Sequence, residues 1–177
     1  MRAHELNNTL PYAHPDEIDF LTQFVNKNKD IKTVVMLGAG PGVFALAILD
    51  GVLTRSIKLH VIDNQTCEWV LRHTNHDSRI ITHIQDSWEP LYNVETVDLL
   101  LIDADHTYDA VKRDINTWQY KSRYIFFHDY LERDHGFNGS GEWVLSGVAH
   151  AVEQHLDKER FTLFNHVGIS MFYGLKE

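Results

Sequence analysis

The chain has 177 residues, 44% of them hydrophobic and 23% charged, which is the balance of one ordinary globular domain and excludes collagen-like or disordered classes. Sixteen Lys and Arg against 25 Asp and Glu give a net charge of −9 with no basic run, so no nucleic-acid partner is expected. Cys67 is the only cysteine, which rules out a disulfide framework or a thiolate zinc site within one chain and fits a reducing cytoplasm. The N-terminus MRAHELNNTL lacks the apolar core of a secretory signal and no apolar run approaches a bilayer span, so no membrane association is expected either.

In chain order, a short lead-in precedes a helix predicted from about His14 to Asn26, where Ile18, Phe20, Leu21, Phe24 and Val25 recur at helical spacing behind Pro15, Asp16 and Glu17. Thr33 to Leu37 reads as a buried strand that runs straight into glycine. Val43 to Leu49 reads as a helix with a stop signal at Asp50-Gly51. The alternation continues with strands at Ile57 to Ile62, Arg79 to Ile84, Val97 to Ile102 and Ser122 to Phe127, and helices at Cys67 to His73 and Tyr108 to Trp118. A glycine-containing stretch, Leu131 to Glu142, suggests a lid loop before a helix from about Trp143 to Leu156. Phe161 to Leu175 then gives two strands flanking Val167-Gly168, a hairpin. Strands alternating with helices imply a single α/β domain: a Rossmann-like, doubly wound, mostly parallel seven-stranded sheet with an antiparallel C-terminal hairpin strand, its ligand-bearing strand ends all on one edge.

In VVMLGAGPGVFALAI a strand meets glycines and then a helix. Gly38 permits the tight turn, Gly40 lets backbone approach a ligand, and Gly42 opens the helix. The run is G-x-G-x-G, since Val43 stands where a dinucleotide fingerprint wants its third glycine. Asp63 ends the next strand at the separation where a ribose-binding carboxylate stands in parallel-sheet nucleotide sites. Its competing role is a helix N-cap before Asn64 and Gln65. Two polar clusters, IDADH and HDY, begin where the later strands stop and place Asp103, Asp105, His106, His128 and Asp129 at the same edge. Carboxylates there can hold a hard divalent cation, and either His106 or His128 can serve as a base near neutral pH. Against this, Asp103 could cap the helix starting near Thr107, and His128 could be a neutral histidine satisfied by backbone groups. The other ten histidines share no spacing and read as surface residues.

With strand, G-x-G-x-G and helix in that order, the chain resembles the class I S-adenosylmethionine-dependent methyltransferases from about Thr33 onward. The wording I-D-x-D-H-x-Y followed by H-D-Y resembles a branch of small methyltransferases within it. The resemblance implies S-adenosylmethionine as cofactor, with Gly38, Ala39, Gly40 and Gly42 under its methionine and ribose parts, Asp63 with Asn64 at the ribose, and Asp86, Ser87 and Trp88 bordering the adenine. For Trp88 plain packing competes. Related metal-dependent O-methyltransferases place ligands at positions matching Asp103, His128 and Asp129, although Asp-Asn or Glu-Asp is usual where His128-Asp129 stands here. A histidine ligand would move the preference from magnesium toward manganese, iron or zinc. Many members also carry an acid where this chain has Met36. The resulting expectation is methyl transfer from S-adenosylmethionine to an oxygen of a small-molecule acceptor, with Asp103 also serving the cofactor and homo-oligomerisation left open. The rivals are another reaction on the same scaffold and a non-catalytic cofactor-binding module, the latter encouraged by the absence of an extended N-terminal cap.

Overall fold

The structure, a computed structural model, describes residues 2–131 and 147–176. Its elements in order are α1 (Ala3–Thr9), α2 (Pro15–Lys27), β1 (Thr33–Leu37), α3 (Val43–Val52), β2 (Lys58–Asp63), α4 (Glu68–His73), β3 (Ile80–Ile84), β4 (Val97–Ile102), α5 (Tyr108–Trp118), β5 (Ser122–Phe127), α6 (Gly147–His155), β6 (Phe161–Val167) and β7 (Ser170–Leu175). The seven strands form one sheet in the order β3-β2-β1-β4-β5-β7-β6, with β1 to β5 parallel and the β6–β7 hairpin antiparallel. The expected α/β architecture is the one observed.

Strand order reverses between β1 and β4, so the crevice beyond their C-terminal ends is the position where open α/β sheets take ligands. Leu37 and Ile102 pair there, and the ladder continues one residue further through Gly38 N–H to the Ile62 carbonyl, Asp103 N–H to Leu37 and His128 N–H to Ile102. Gly38, Asp103 and His128 thereby stand side by side just past the sheet.

Both sheet faces are covered. Val34, Met36, Leu99, Leu101 and Phe126 pack with α1, α2 and α3 on one face, while Val35, Leu37, Leu100, Ile102, Ile125 and Phe127 pack with α5 and α6 on the other. Alternate residues of one strand point to opposite faces, so strands covered twice are apolar along the covered length, as residues 34–37 of β1 and 99–102 of β4 are. Met36 lies within the first of these cores. On α5, Ala110, Val111, Ile115 and Trp118 form the buried face; removing the Ile115 side chain would cost about 2–5 kcal/mol.

Two boundaries differ from the sequence reading. The lead-in contains a seven-residue helix, α1, whose N-terminus is held by Asp50 through Arg2 and the Ala3 N–H. α3 runs through Asp50-Gly51 to Val52, because Gly51 serves helix packing: a Cβ there would lie 2.4 Å from the Thr22 carbonyl of α2. The lid expected over 131–142 and the helix start at Trp143 fall, beyond Leu131, outside the described residues. No helix among the described residues is long and apolar enough to cross a membrane.

Candidate active site

Past the switch point lies a cavity of about 530 Å³, within the range of small-molecule sites. The glycine turn forms its floor. A Cβ on Gly38, at φ +89°, would stand 2.0 Å from the Asp103 carbonyl, so glycine is what lets β1 and β4 end this close together. Gly40 lines the cavity too, but the space above it holds a side chain: a Cβ there would meet the Tyr12 ring at 2.7 Å.

Asp63 closes one side. Its Oδ2 accepts the Ala39 N–H at 3.0 Å and its Oδ1 accepts the Gln65 N–H at 2.8 Å, so the carboxylate fixes the glycine turn and starts the next loop while still facing the cavity. Asn64 donates to Asp86 at 3.4 Å, joining the loops after β2 and β3. The 86–88 loop is fixed from behind by α5: Ser87 Oγ donates to Asp114, Trp118 Nε1 donates to the Ser87 carbonyl, and the Arg113 guanidinium lies 4.1 Å from the Trp88 ring centre. Trp69 of α4 lines the same cavity with its side chain largely exposed.

At the other end Asp103, nearly fully buried, belongs both to the cavity wall and to a cluster with His106, His128 and Asp129, whose candidate ligand atoms all lie within 4.8 Å of one another. His128 Nδ1 is 2.8 Å from Asp103 Oδ1 and 3.1 Å from Asp129 Oδ2, and its Nε2 is 3.4 Å from Glu17 Oε2. His106 is 3.4 Å from Asp103 and 3.3 Å from Asp129. Asp129 adopts a left-handed φ of +53°, which aspartate tolerates better than most residues.

These carboxylates decide the charges. Burial alone would lower the His128 pKa, but Asp103, Asp129 and Glu17 overcome it and push the imidazole up to about 12. Burial likewise disfavours ionised Asp103, yet His128 and His106 hold its carboxyl below the usual range. Bonding to Asp103 raises His106 against its own burial.

Of the residues singled out in the sequence, Gly38, Gly40, Asp63, Asn64, Asp86, Ser87, Trp88 and Asp103 line one cavity, and His106, His128 and Asp129 gather beside it at Asp103. Ala39 and Gly42 lie behind the lining, where Ala39 contributes its N–H to Asp63. One reading is corrected: His60 is no surface residue but is 3% exposed, with its Nδ1 3.0 Å from His83 Nε2, because β2 is an interior strand and β3 pairs beside it.

Three residues went unnoticed. Glu17 is fully buried, and its Oε1 also accepts from Ser170 Oγ and the Ile169 N–H of the β6–β7 turn. The capping-box spacing His14 to Glu17 was the available signal, and it is realised in the His14 N–H to Glu17 bond of 2.8 Å. Tyr12 and Asp114 carried no local signal. Asn7 holds the Tyr12 and Ala13 N–H groups, and Tyr12 reaches over Gly40 to Asp103.

The sheet order with its antiparallel β7, the glycine turn, the strand-terminal acid and the cavity at the switch point together match the class I methyltransferase architecture that the sequence resemblance implies. Residues 35–130 match the family model of the methyltransferase domain, and the chain belongs to that family. No curated protein matches the sequence. Among solved structures, the S-adenosylhomocysteine-bound methyltransferase PaMTH1 of Podospora anserina is similar at TM-score 0.73 and 13% identity, covering 99% of this chain and 86% of its own. The O-methyltransferase of Bacillus cereus in complex with S-adenosylhomocysteine is similar at TM-score 0.70 and 15% identity, covering 98% and 89%. The N-methyltransferase NodS of Bradyrhizobium japonicum WM9, also in complex with S-adenosylhomocysteine, is similar at TM-score 0.64 and 14% identity, covering 91% and 86%.

Proposed function

We propose that the protein transfers the methyl group of S-adenosylmethionine to an oxygen of a small-molecule acceptor. The observation that carries this reading is the double position of Asp103, which is at once cavity wall and member of the His106–His128–Asp129 cluster. With the ribose at Asp63, the uncharged base meets the aromatic rings of Trp69 and Trp88, and the cationic methionine end meets Gly38, Gly40 and the Asp103 carboxylate. The methyl group then faces the cluster. Solved O- and N-methyltransferases share the fold, so the acceptor atom must be argued from the site, and clustered acids and histidines suit a hydroxyl that has to lose a proton.

In this reading the acceptor oxygen forms the new C–O bond as the C–S bond breaks, the sulfonium becomes a neutral thioether, and the acceptor proton passes to His106. His106 is the better base because its side chain is 35% exposed, whereas His128 is enclosed by three carboxylates that keep it protonated. Asp103, His128 and Asp129 would hold a divalent cation, which when bound lowers the pKa of an acceptor hydroxyl; an imidazole among carboxylates suits manganese or iron better than magnesium. The experiment is incubation with S-adenosylmethionine and a range of aromatic and aliphatic hydroxyl compounds, with and without Mn²⁺, followed by mass spectrometry. S-Adenosylhomocysteine released together with an O-methylated product supports the reading. Cofactor binding without any product points to a non-catalytic module, and N-methylated product alone moves the acceptor to nitrogen.

A further inference from the structure

Ser87 lines the cofactor cavity, yet its side chain is tied backward into the protein, where Oγ donates to Asp114 Oδ1 at 2.6 Å. Asp114 lies on α5, is fully buried, and its Oδ2 has no hydrogen-bond partner among the described residues. A half-satisfied carboxyl in such a place lowers stability, so folding alone does not account for it. What it does touch is the loop bordering the cofactor. Its neighbours on the same helix converge there too: Thr117 Oγ1 donates to the Trp88 carbonyl at 3.0 Å, Trp118 Nε1 donates to the Ser87 carbonyl at 2.7 Å, and Arg113 stacks on Trp88.

We propose that Asp114 is a positioning residue for S-adenosylmethionine, holding the Ser87 hydroxyl against the base-binding wall of the cavity. The inference rests on the cofactor placement given above. Its chemistry is a choice of hydrogen direction. A neutral carboxyl donates to Ser87 Oγ, and the serine hydrogen turns toward the cavity as a donor for a nitrogen of the base. An ionised carboxylate takes that hydrogen for itself. Burial favours the neutral form, pushing the Asp114 pKa up to about 7; the Ser87 bond and Arg113 work against it, and Asp105 with it. Asparagine at this position keeps the donor permanently.

The test is calorimetric titration of S-adenosylhomocysteine and of adenosine into the wild-type protein and into Ser87→Ala, Asp114→Ala, Asp114→Asn and the Ser87→Ala/Asp114→Ala double variant. Asp114→Ala and Ser87→Ala should each weaken both ligands about tenfold, and the double variant should lose no more than about twofold beyond either single change. Asp114→Asn should stay within about threefold of wild type, since one neutral donor replaces another. Asp114→Leu gives the same reading should the alanine variant fail to fold. Wild-type affinity in Asp114→Ala, multiplying losses in the double variant, or a loss in Asp114→Asn equal to that in Asp114→Ala would each overturn the proposal. A wild-type protein that binds neither ligand overturns the cofactor placement itself, and this proposal with it.

Discussion

The Tyr12 hydroxyl donates to Asp103 Oδ2 at 3.1 Å, joining residues 91 positions apart where the cavity beyond the strand ends meets the histidine cluster. The tyrosine ring fills the space a Cβ on Gly40 would need and stacks 6.0 Å from the His128 ring. Burial and the Asp103 charge raise its pKa, so it remains a phenol and a donor. The N-terminal segment is therefore part of the site, although the sequence encouraged the opposite view.

Tyr12→Phe should cost about 1–3 kcal/mol of stability, because it leaves a buried carboxylate oxygen without its donor. Urea unfolding checks this. Gly40→Ala should displace the ring and weaken S-adenosylhomocysteine, and in the Gly40→Ala/Tyr12→Ala pair the two losses should not add, since the clash has gone. Additive losses would mean that Gly40 acts independently of Tyr12.

Asp63 serves two purposes, and Asp63→Ala should reveal both. It frees the Ala39 and Gln65 N–H groups, lowering stability, and it weakens S-adenosylmethionine by about 1.5–3 kcal/mol, the range for hydrogen bonds to a charged group. Melting and calorimetry on the same variant separate the two losses. A fall in stability with unchanged affinity would leave Asp63 a loop anchor only.

Glu17 and His128 form a buried charged contact, so Glu17→Gln, which keeps the capping box, should still destabilise by about 3–5 kcal/mol. The pH dependence follows from the signs. The folded-state pKa of His128 is raised to about 12, so its stabilising contribution is complete below the unfolded value near 6.5 and is lost as pH rises from there toward 12. Glu17 is held below its ordinary value by His128 despite burial, so its contribution is present above about 4.5 and is lost as pH falls below that. Unfolding free energies measured in chelator at pH 5, 7 and 9 should decline from 7 to 9, and the decline should be smaller in Glu17→Gln.

Much of this was legible in the sequence. The bounds of β1, β4, α5 and β5 follow from apolar runs or helical periodicity, and the edge that carries the cavity follows from where the strand runs stop at Gly38, Asp103 and His128. α1 escaped because seven residues rich in His, Glu and Asn carry no clear period. Glu17 and Tyr12 escaped for a different reason: Ser170 lies 153 positions from Glu17 and Asp103 lies 91 from Tyr12, and no local pattern encodes such pairings. Asp114 escapes a local reading because what buries it, the 86–88 loop against α5, is distant in sequence.

Binding of Mn²⁺ should strengthen as pH rises, because His128 must give up the proton shared with Asp103 before Nδ1 can bind a cation. Asp129→Ala should abolish the binding. Calorimetry at pH 6.5 and 8.5 decides it, and pH-independent affinity, or binding retained in Asp129→Ala, would take the cation away from this cluster.

S-Adenosylmethionine is proposed to lie in the cavity between Asp63 and Asp103. A crystal structure of the protein soaked with S-adenosylhomocysteine tests it most directly. The account predicts the ribose hydroxyls on the Asp63 carboxylate, the base beside Trp88, and the sulfur above Gly38 and Gly40 toward Asp103. S-Adenosylhomocysteine bound elsewhere, or no density for it in this cavity at saturation, would contradict it.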